Sequence, residues 1–229
     1  MNSFSNTNWL ITGGSSGLGF ALAENLSAQG AKVAIVARNE RSLFEAAQKT
    51  GAVAIAGDVA NKEDTYKIAG QAFAQLGRID YLVNNASSLG PDRLQLLLDT
   101  DCESLEIALQ TNVVAAFRLI KAVMPSLLLQ GSGTIINISS DAAVNAYAKW
   151  GAYGASKASL DHLTRIWAEE VRSRGVSLLS IDPGDMATPL HRQAVPDADF
   201  SRLKDPQSSA KDVLAWIAQQ PDSGQRKAV

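Results

Sequence analysis

The chain is poor in the residues that build several kinds of site. Among its 229 residues there is one cysteine, Cys102, so no internal disulfide can form. A reducing, cytoplasmic setting is the expected one. Cys102 lies in the polar stretch "DTDCESLE" with no His/Asp partner pattern beside it. The two histidines, His162 and His191, are far apart and lack ligand spacing, so no metal site is expected. Charge is nearly balanced, at formal −2, which gives no electrostatic footing for nucleic acid or an anionic membrane. The opening "MNSFSNTNW" has neither a basic start nor an apolar run, so no secretory signal is read there. No apolar stretch reads as long enough to cross a bilayer, since "AVMPSLLLQG" is short and contains Pro125. Residues 1–7 read as a frayed tail.

What is present is a regular alternation. "NWLITGG" reads as a strand entering a glycine loop, and "LGFALAENLSAQG" as a helix with Leu18, Ala21, Leu22 and Leu26 on one face and Gly30 at its end. "KVAIVAR" is a second strand. "NERSLFEAAQKTG" is a helix with Asn39 as N-cap, "AVAIAGDV" a third strand, and "NKEDTYKIAGQAFAQLG" a helix capped by Asn61. "RIDYLVNNAS" supplies the fourth strand and its exit. A long helix is expected over roughly Glu103 to Leu129, its last turn bent at Pro125. "GTIINISS", "AYGASKASLDHLTRIWAEEVRSRG" and "VSLLSIDPG" continue as strand, helix, strand. Strands that are apolar throughout imply a parallel sheet covered by helices on both faces. Right-handed crossovers make it doubly wound and Rossmann-like, in one domain over 1–229. Only 187–207 breaks the pattern, with three prolines and little periodicity. It is expected to be a mobile flap over a binding crevice.

The loop "ITGGSSGLGFAL" places Gly13, Gly17 and Gly19 between a strand and a helix. A tight turn needs residues without Cβ clashes. Backbone N–H groups at a helix N-terminus suit a pyrophosphate, and Ser15 and Ser16 can add hydroxyl donors. An ordinary glycine turn is the plainer reading, but the strand–loop–helix setting favours a dinucleotide.

Further stretches follow in order: "DV" at Asp58–Val59, "NNAS" at Asn84 to Ser87, "TNVVAAF" with Asn112, "NISS" with Ser139 and Ser140, "YGASK", and "PGDMAT". With the glycine loop, they resemble the short-chain dehydrogenase/reductase family in its compact single-domain branch, over nearly the whole chain. Ser87 stands where that family has glycine. The resemblance implies an NAD(P)-dependent oxidoreductase. It implies that Gly13, Ser15, Ser16, Gly17, Leu18, Gly19, Asp58, Val59, Asn85, Ala86, Pro183, Gly184, Met186 and Thr188 hold the cofactor. It also gives Lys157 a bond to the nicotinamide ribose, and Asn112 a water that relays protons to that lysine. Without the resemblance, Asn112 reads as a buried polar residue satisfied by backbone.

Tyr153 and Lys157, four apart, share a helical face. Alone, such a pair also reads as a surface contact. In this company it reads as a general acid for carbonyl reduction and a general base for the reverse. A phenol titrating near ~10 needs about 4 kcal/mol of differential stabilisation to reach ~7, which the ammonium and an oxidised nicotinamide would supply. Ser140, thirteen positions before Tyr153 as in the family, is expected to bind the substrate oxygen. Its neighbour Ser139 must face the other way.

Cofactor choice rests on "VARN" at the end of the second strand. No carboxylate is there to bind ribose hydroxyls, and Arg38 suits a 2′-phosphate, so NADP(H) is expected over NAD(H). Against this, Ser16 occupies the place where many NADP-using relatives carry a basic residue, and Arg38 also reads as an exposed loop arginine. Trp150, Asp141 and Asn145 are candidates to border a small-molecule carbonyl or alcohol, and His191 reads better as a solvated loop residue. By resemblance, the helices from Glu103 and around Tyr153 form a homodimer. The short "QRKAV" end puts in doubt the strand around which relatives build a tetramer. A non-catalytic dinucleotide sensor is the competing function. Retention of Asn112, Ser140, Tyr153 and Lys157 together favours the enzyme.

Overall fold

The computed structural model describes residues 4–229. Seven parallel strands form one sheet in the order β3-β2-β1-β4-β5-β6-β7. They are β1 (Asn8–Thr12), β2 (Lys32–Ala37), β3 (Val53–Ala56), β4 (Tyr81–Asn84), β5 (Gly133–Ile138), β6 (Val176–Asp182) and β7 (Arg226–Ala228). Successive residues serve opposite faces. Trp9, Ile11, Val33, Ile35, Ile136 and Leu179 join a core with helices α1 (Gly17–Ala28), α2 (Glu40–Thr50) and α8 (Pro206–Ile217). Leu10, Ala34, Val36, Ile135 and Leu178 join the other core, with α3 (Lys62–Leu76) and α5 (Ala115–Gln130). Burial on both faces is why these strands read as continuous apolar runs. The expected single-domain doubly wound α/β fold is the one observed. The short final strand is real as well: β7 pairs Arg226 with Ser180 and Ala228 with Asp182. The strand order reverses between β1 and β4, and a crevice opens beyond their C-terminal ends.

The expected caps form. Asn39 Oδ1 accepts from the Ser42 N–H at 3.0 Å, and Asn61 Oδ1 from Glu63 at 2.8 Å and Asp64 at 3.2 Å. The long helix differs from expectation in two ways. It divides into α4 (Cys102–Leu109), a wider π turn over Gln110–Val114, and α5, which runs through Pro125 to Gln130. Asn112 sits in the π turn, a device that recurs at functional sites. The helical run from Cys102 to Gln130 is 29 residues and, by length and composition, is apolar enough to cross a membrane. The reading that no stretch is long enough, which took "AVMPSLLLQG" as short and interrupted by proline, is corrected. Within this fold Leu119, Ile120, Val123 and Leu127 are buried in the core, which accounts for the apolar composition.

The N-terminal tail also differs from expectation. Residues 1–3 lie outside the described residues. Phe4 is packed into the body: it is buried, edge-on to Trp9 at 5.2 Å and to Tyr81 at 5.9 Å, while Trp9 stacks on Tyr81 at 3.9 Å. Trp9 and Tyr81 are register partners on adjacent strands, so their rings share one face. The 187–207 segment carries the short helix α7 (Pro189–Ala194) and a 3-10 turn at Phe200–Arg202. It is joined back to the body by a bridge between Met186 and Lys204.

Candidate active site

Thr12 ends β1 and organises the crevice. Its hydroxyl donates to Val83 O at 3.3 Å and accepts from the N–H groups of Asn85 and Ala86, both at 3.0 Å. Asn85 Nδ2 returns a bond to Thr12 O at 2.8 Å. The glycine loop and the β4 exit are thereby drawn into contact. Gly13 and Gly17 take φ of +66° and +54°, a region side chains rarely enter. A Cβ on Gly19 would lie 2.4 Å from Gly13 O, and one on Gly13 2.8 Å from Asn85 Nδ2. Ser16 makes no side-chain cap bond and the first turn of α1 holds no acidic residue, so its N–H groups keep free capacity for an anion. This cradle fits a dinucleotide pyrophosphate.

The crevice is a cavity of about 590 Å³. Gly13, Ser16, Gly17, Leu18, Asn85, Ala86, Pro183, Gly184, Met186 and Thr188 line it together with Ser140, Tyr153 and Lys157. Ser15, Gly19 and Val59 do not line it. Arg38 and Asp58 sit outside, at the ends of β2 and β3, loosely paired at 3.8 Å, Arg38 mostly exposed and Asp58 half-buried.

Helix α6 (Gly151–Glu170) carries Tyr153 and Lys157 one turn apart, both buried. Lys157 Nζ donates to Ile138 O at 2.7 Å and lies 5.5 Å from the centre of the Tyr153 ring. The Tyr153 hydroxyl meets the hydroxyls of Ser140 and Ser87. Burial pushes the phenol up to about 12, against the lowering effect of those two hydroxyls; the charges of Asp182 and Asp141 push it further up. Burial pushes Lys157 down to about 8, with the charge of Asp161 opposing. The expected lysine-acidified phenol is therefore not the state of the chain by itself: the ammonium faces a carbonyl, and desolvation dominates.

Ser139 and Ser140 do face apart. Both line the cavity, but Ser139 Oγ donates to Asp161 Oδ2 at 2.8 Å, away from the phenol, whereas Ser140 Oγ is on the Tyr153 side, donating to Asp141 Oδ1 at 3.1 Å. Asn112 is one layer back and fully engaged. Its Nδ2 donates to Ser88 O and Ser156 Oγ, both at 2.8 Å. Its Oδ1 accepts from Ser88 N at 2.8 Å and from Ser87 Oγ at 3.1 Å. These four bonds fill the side chain's donors and acceptors and pin the β4 exit against α6.

Several placements depart from expectation. His191 lines the cavity, its side chain only 13% exposed and 3.6 Å from Asp185, so it is not a solvated loop residue. Trp150 lines it too, edge-on to Tyr153 at 5.7 Å. Asp141 borders the cavity; Asn145 and His162 do not. Ser87 was legible only as a replaced glycine, and nothing local marked its contact with the phenol. The apolar wall of Leu89, Ala142, Leu190, Ala194 and Val195 comes from three separate segments.

Comparison with known proteins agrees with this geometry. The short chain dehydrogenase family model matches residues 7–199. An uncharacterised oxidoreductase of Staphylococcus saprophyticus is 34% identical over 224 residues, covering 93% of this chain and 91% of its own. A short chain dehydrogenase structure from Pseudomonas syringae superposes with a TM-score of 0.92 at 28% identity, covering 99% of this chain and 96% of that one. A 7α-hydroxysteroid dehydrogenase, solved with NADH and 7-oxo glycochenodeoxycholic acid, gives 0.88 at 27% identity, covering 99% and 93%. The chain belongs to the short chain dehydrogenase family. It is an NAD(P)-dependent oxidoreductase acting on CH–OH groups of small molecules, in a family whose members commonly oligomerise.

Proposed function

We propose that this protein reduces an aldehyde or ketone to an alcohol with NADPH, reversibly. The observation that carries the reading is the meeting, in one cavity with the glycine cradle, of the Tyr153 and Ser140 hydroxyls and the Lys157 ammonium. Bound NADPH would supply hydride from its nicotinamide C4 to the carbonyl carbon. Ser140 Oγ–H donates a hydrogen bond to the carbonyl oxygen as negative charge develops there. Tyr153 gives that oxygen its proton. Ser87 and Ser140 then stabilise the phenolate until it is reprotonated, and Lys157 holds the nicotinamide ribose. The apolar wall suits a hydrophobic carbonyl compound, and the 187–207 segment acts as its flap.

Preference for NADPH rests on Arg38, because the solved steroid dehydrogenase is complexed with NADH. Arg38 is mostly exposed and only weakly paired, so a 2′-phosphate can recruit it. Arg38→Ala should raise KM for NADPH by about tenfold and leave KM for NADH nearly unchanged. Equal effects on both would remove the basis for this preference. Ile107, Phe117 and Ile166 are exposed apolar side chains on α4, α5 and α6, and we assign that face to a homodimer in the cytoplasm. Aldehydes, ketones, quinones and secondary alcohols, screened with NADPH and NADH in parallel by absorbance, test the reading. Cofactor binding without turnover of any of them would mark a dinucleotide sensor instead.

A further inference from the structure

The terminal strand β7 contributes little to the core, since Lys227 and Ala228 are exposed. What it sends inward is one side chain. Arg226 Nε donates to Asp161 Oδ2 at 2.9 Å, and Nη2 donates to Ser140 O at 2.7 Å while lying 3.3 Å from Asp182 Oδ2. One guanidinium thus joins β5, α6 and β6 directly behind the reacting groups, with its own side chain 24% exposed. Asp161 and Asp182 are both buried. Asp161 follows Lys157 by one helical turn, and its Oδ2 also takes the Ser139 hydroxyl. Asp182 anchors the Gly184 N–H at 3.1 Å through its other oxygen.

We propose that Arg226 is a positioning residue for the Ser140–Tyr153–Lys157 centre, fixing the main chain at Ser140 and neutralising the two carboxylates that flank the centre from behind. This rests on the reductase reading for its catalytic consequence but not for its electrostatic one. Planar geometry is what the role demands. A fork of N–H donors can meet two carboxylates and a carbonyl at once, whereas a lysine ammonium is a single point of charge. The charged and titratable groups facing the centre are Asp141 and the Tyr147 bonded to it from the segment after β5, Tyr153, Lys157 and Asp161 from α6, Asp182 from β6, Asp185 and His191 from the segment after β6, and Arg226 from β7. Of these, Asp161 favours the Lys157 ammonium and Asp182 disfavours the Tyr153 phenolate. Arg226 moderates both effects. Its removal holds Lys157 protonated to higher pH and makes the phenolate harder to form.

The test uses the full chain as wild type, Arg226→Gln and Arg226→Lys, with two readouts. The first needs neither substrate nor cofactor: the Lys157 titration followed by NMR of 13Cε-labelled lysine, assigned by its absence in Lys157→Met. Arg226→Gln should move the midpoint up by about one pH unit, and Arg226→Lys should restore most of it. The second is steady-state kinetics in both directions. Arg226→Gln should lower kcat for alcohol oxidation about tenfold at neutral pH and shift its alkaline rise to higher pH. Arg226→Lys should recover the pH profile but not the full kcat, because the Ser140 carbonyl loses its donor. A folded Arg226→Gln with wild-type midpoint, profile and kcat overturns the proposal. If Arg226→Gln does not fold, Arg226→Lys with wild-type kcat does so. A moved midpoint in a protein with no turnover would support the coupling and remove the reductase reading.

Discussion

Tyr153→Phe is expected to lower kcat in both directions by about 10²- to 10⁴-fold while leaving NADPH affinity within a few-fold. The substitution removes one oxygen from a ring that is otherwise packed among Trp150, Leu89 and Ala142, so the cavity keeps its shape. It leaves the Ser140 hydroxyl in place to bind the carbonyl oxygen but without a proton to deliver. The direction of the pH dependence follows from burial. With the phenol pushed up to about 12, Tyr153 is protonated throughout the neutral range and ready to act as an acid. Carbonyl reduction should therefore be nearly flat in this group from about pH 6 to 9, whereas alcohol oxidation, which needs the phenolate, should climb with pH. In Tyr153→Phe that climb should be lost together with the rate. Turnover of the phenylalanine variant within tenfold of wild type would reject Tyr153 as the acid.

The raised phenol also shows how the two directions of the reaction are weighted by the fold. The carboxylates of Asp182, which is buried, and Asp141 at the cavity edge oppose phenolate formation, while the Ser87 and Ser140 hydroxyls favour it. The chain's own electrostatics thus suit proton donation more than proton removal.

The alternation of strands and helices was legible because each central strand is buried on both faces and each helix on one. That leaves two different periods in the text of the chain. Asn39 and Asn61 were legible as caps because their partners lie two to three residues on. The glycine loop was legible because its constraint is local. What escaped reading is set by distant partners. Arg226 meets groups 44, 65 and 86 positions away, and only the pairing of β7 with β6 brings it there. Phe4 stands alone in a polar tail, and its partners Trp9 and Tyr81 become one aromatic cluster only when β1 and β4 pair. The π turn at Gln110–Val114 contains no glycine or proline to announce it. The phenol's rise to about 12 in the chain by itself is a sum over burial and neighbours from several elements, which the helical spacing of Tyr153 and Lys157 does not reveal.

Ser140→Ala and Ser139→Ala should separate chemistry from scaffolding at two adjacent residues. The first removes the donor beside Tyr153, and kcat should fall by about 10²- to 10³-fold with little change in thermal stability. Ser140 Oγ also accepts from Ala142 N at 3.2 Å, a bond at the cavity edge that water can replace. The second removes a donor to the buried Asp161 carboxylate, whose other oxygen has no partner among the described residues. A buried charged group that loses a hydrogen bond costs about 1.5–3 kcal/mol. For a chain of this size that lowers Tm by about 3–12 °C. Turnover of Ser139→Ala should stay within several-fold of wild type, because its hydroxyl points away from the phenol. The extended backbone at the end of β5 makes the two outcomes differ: neighbouring side chains project to opposite sides, one toward the phenol and one onto the Asp161–Arg226 pair. If the alanine at 139 abolishes turnover while the alanine at 140 is active and merely unstable, the substrate oxygen lies on the other side of the strand end from the one assigned to it.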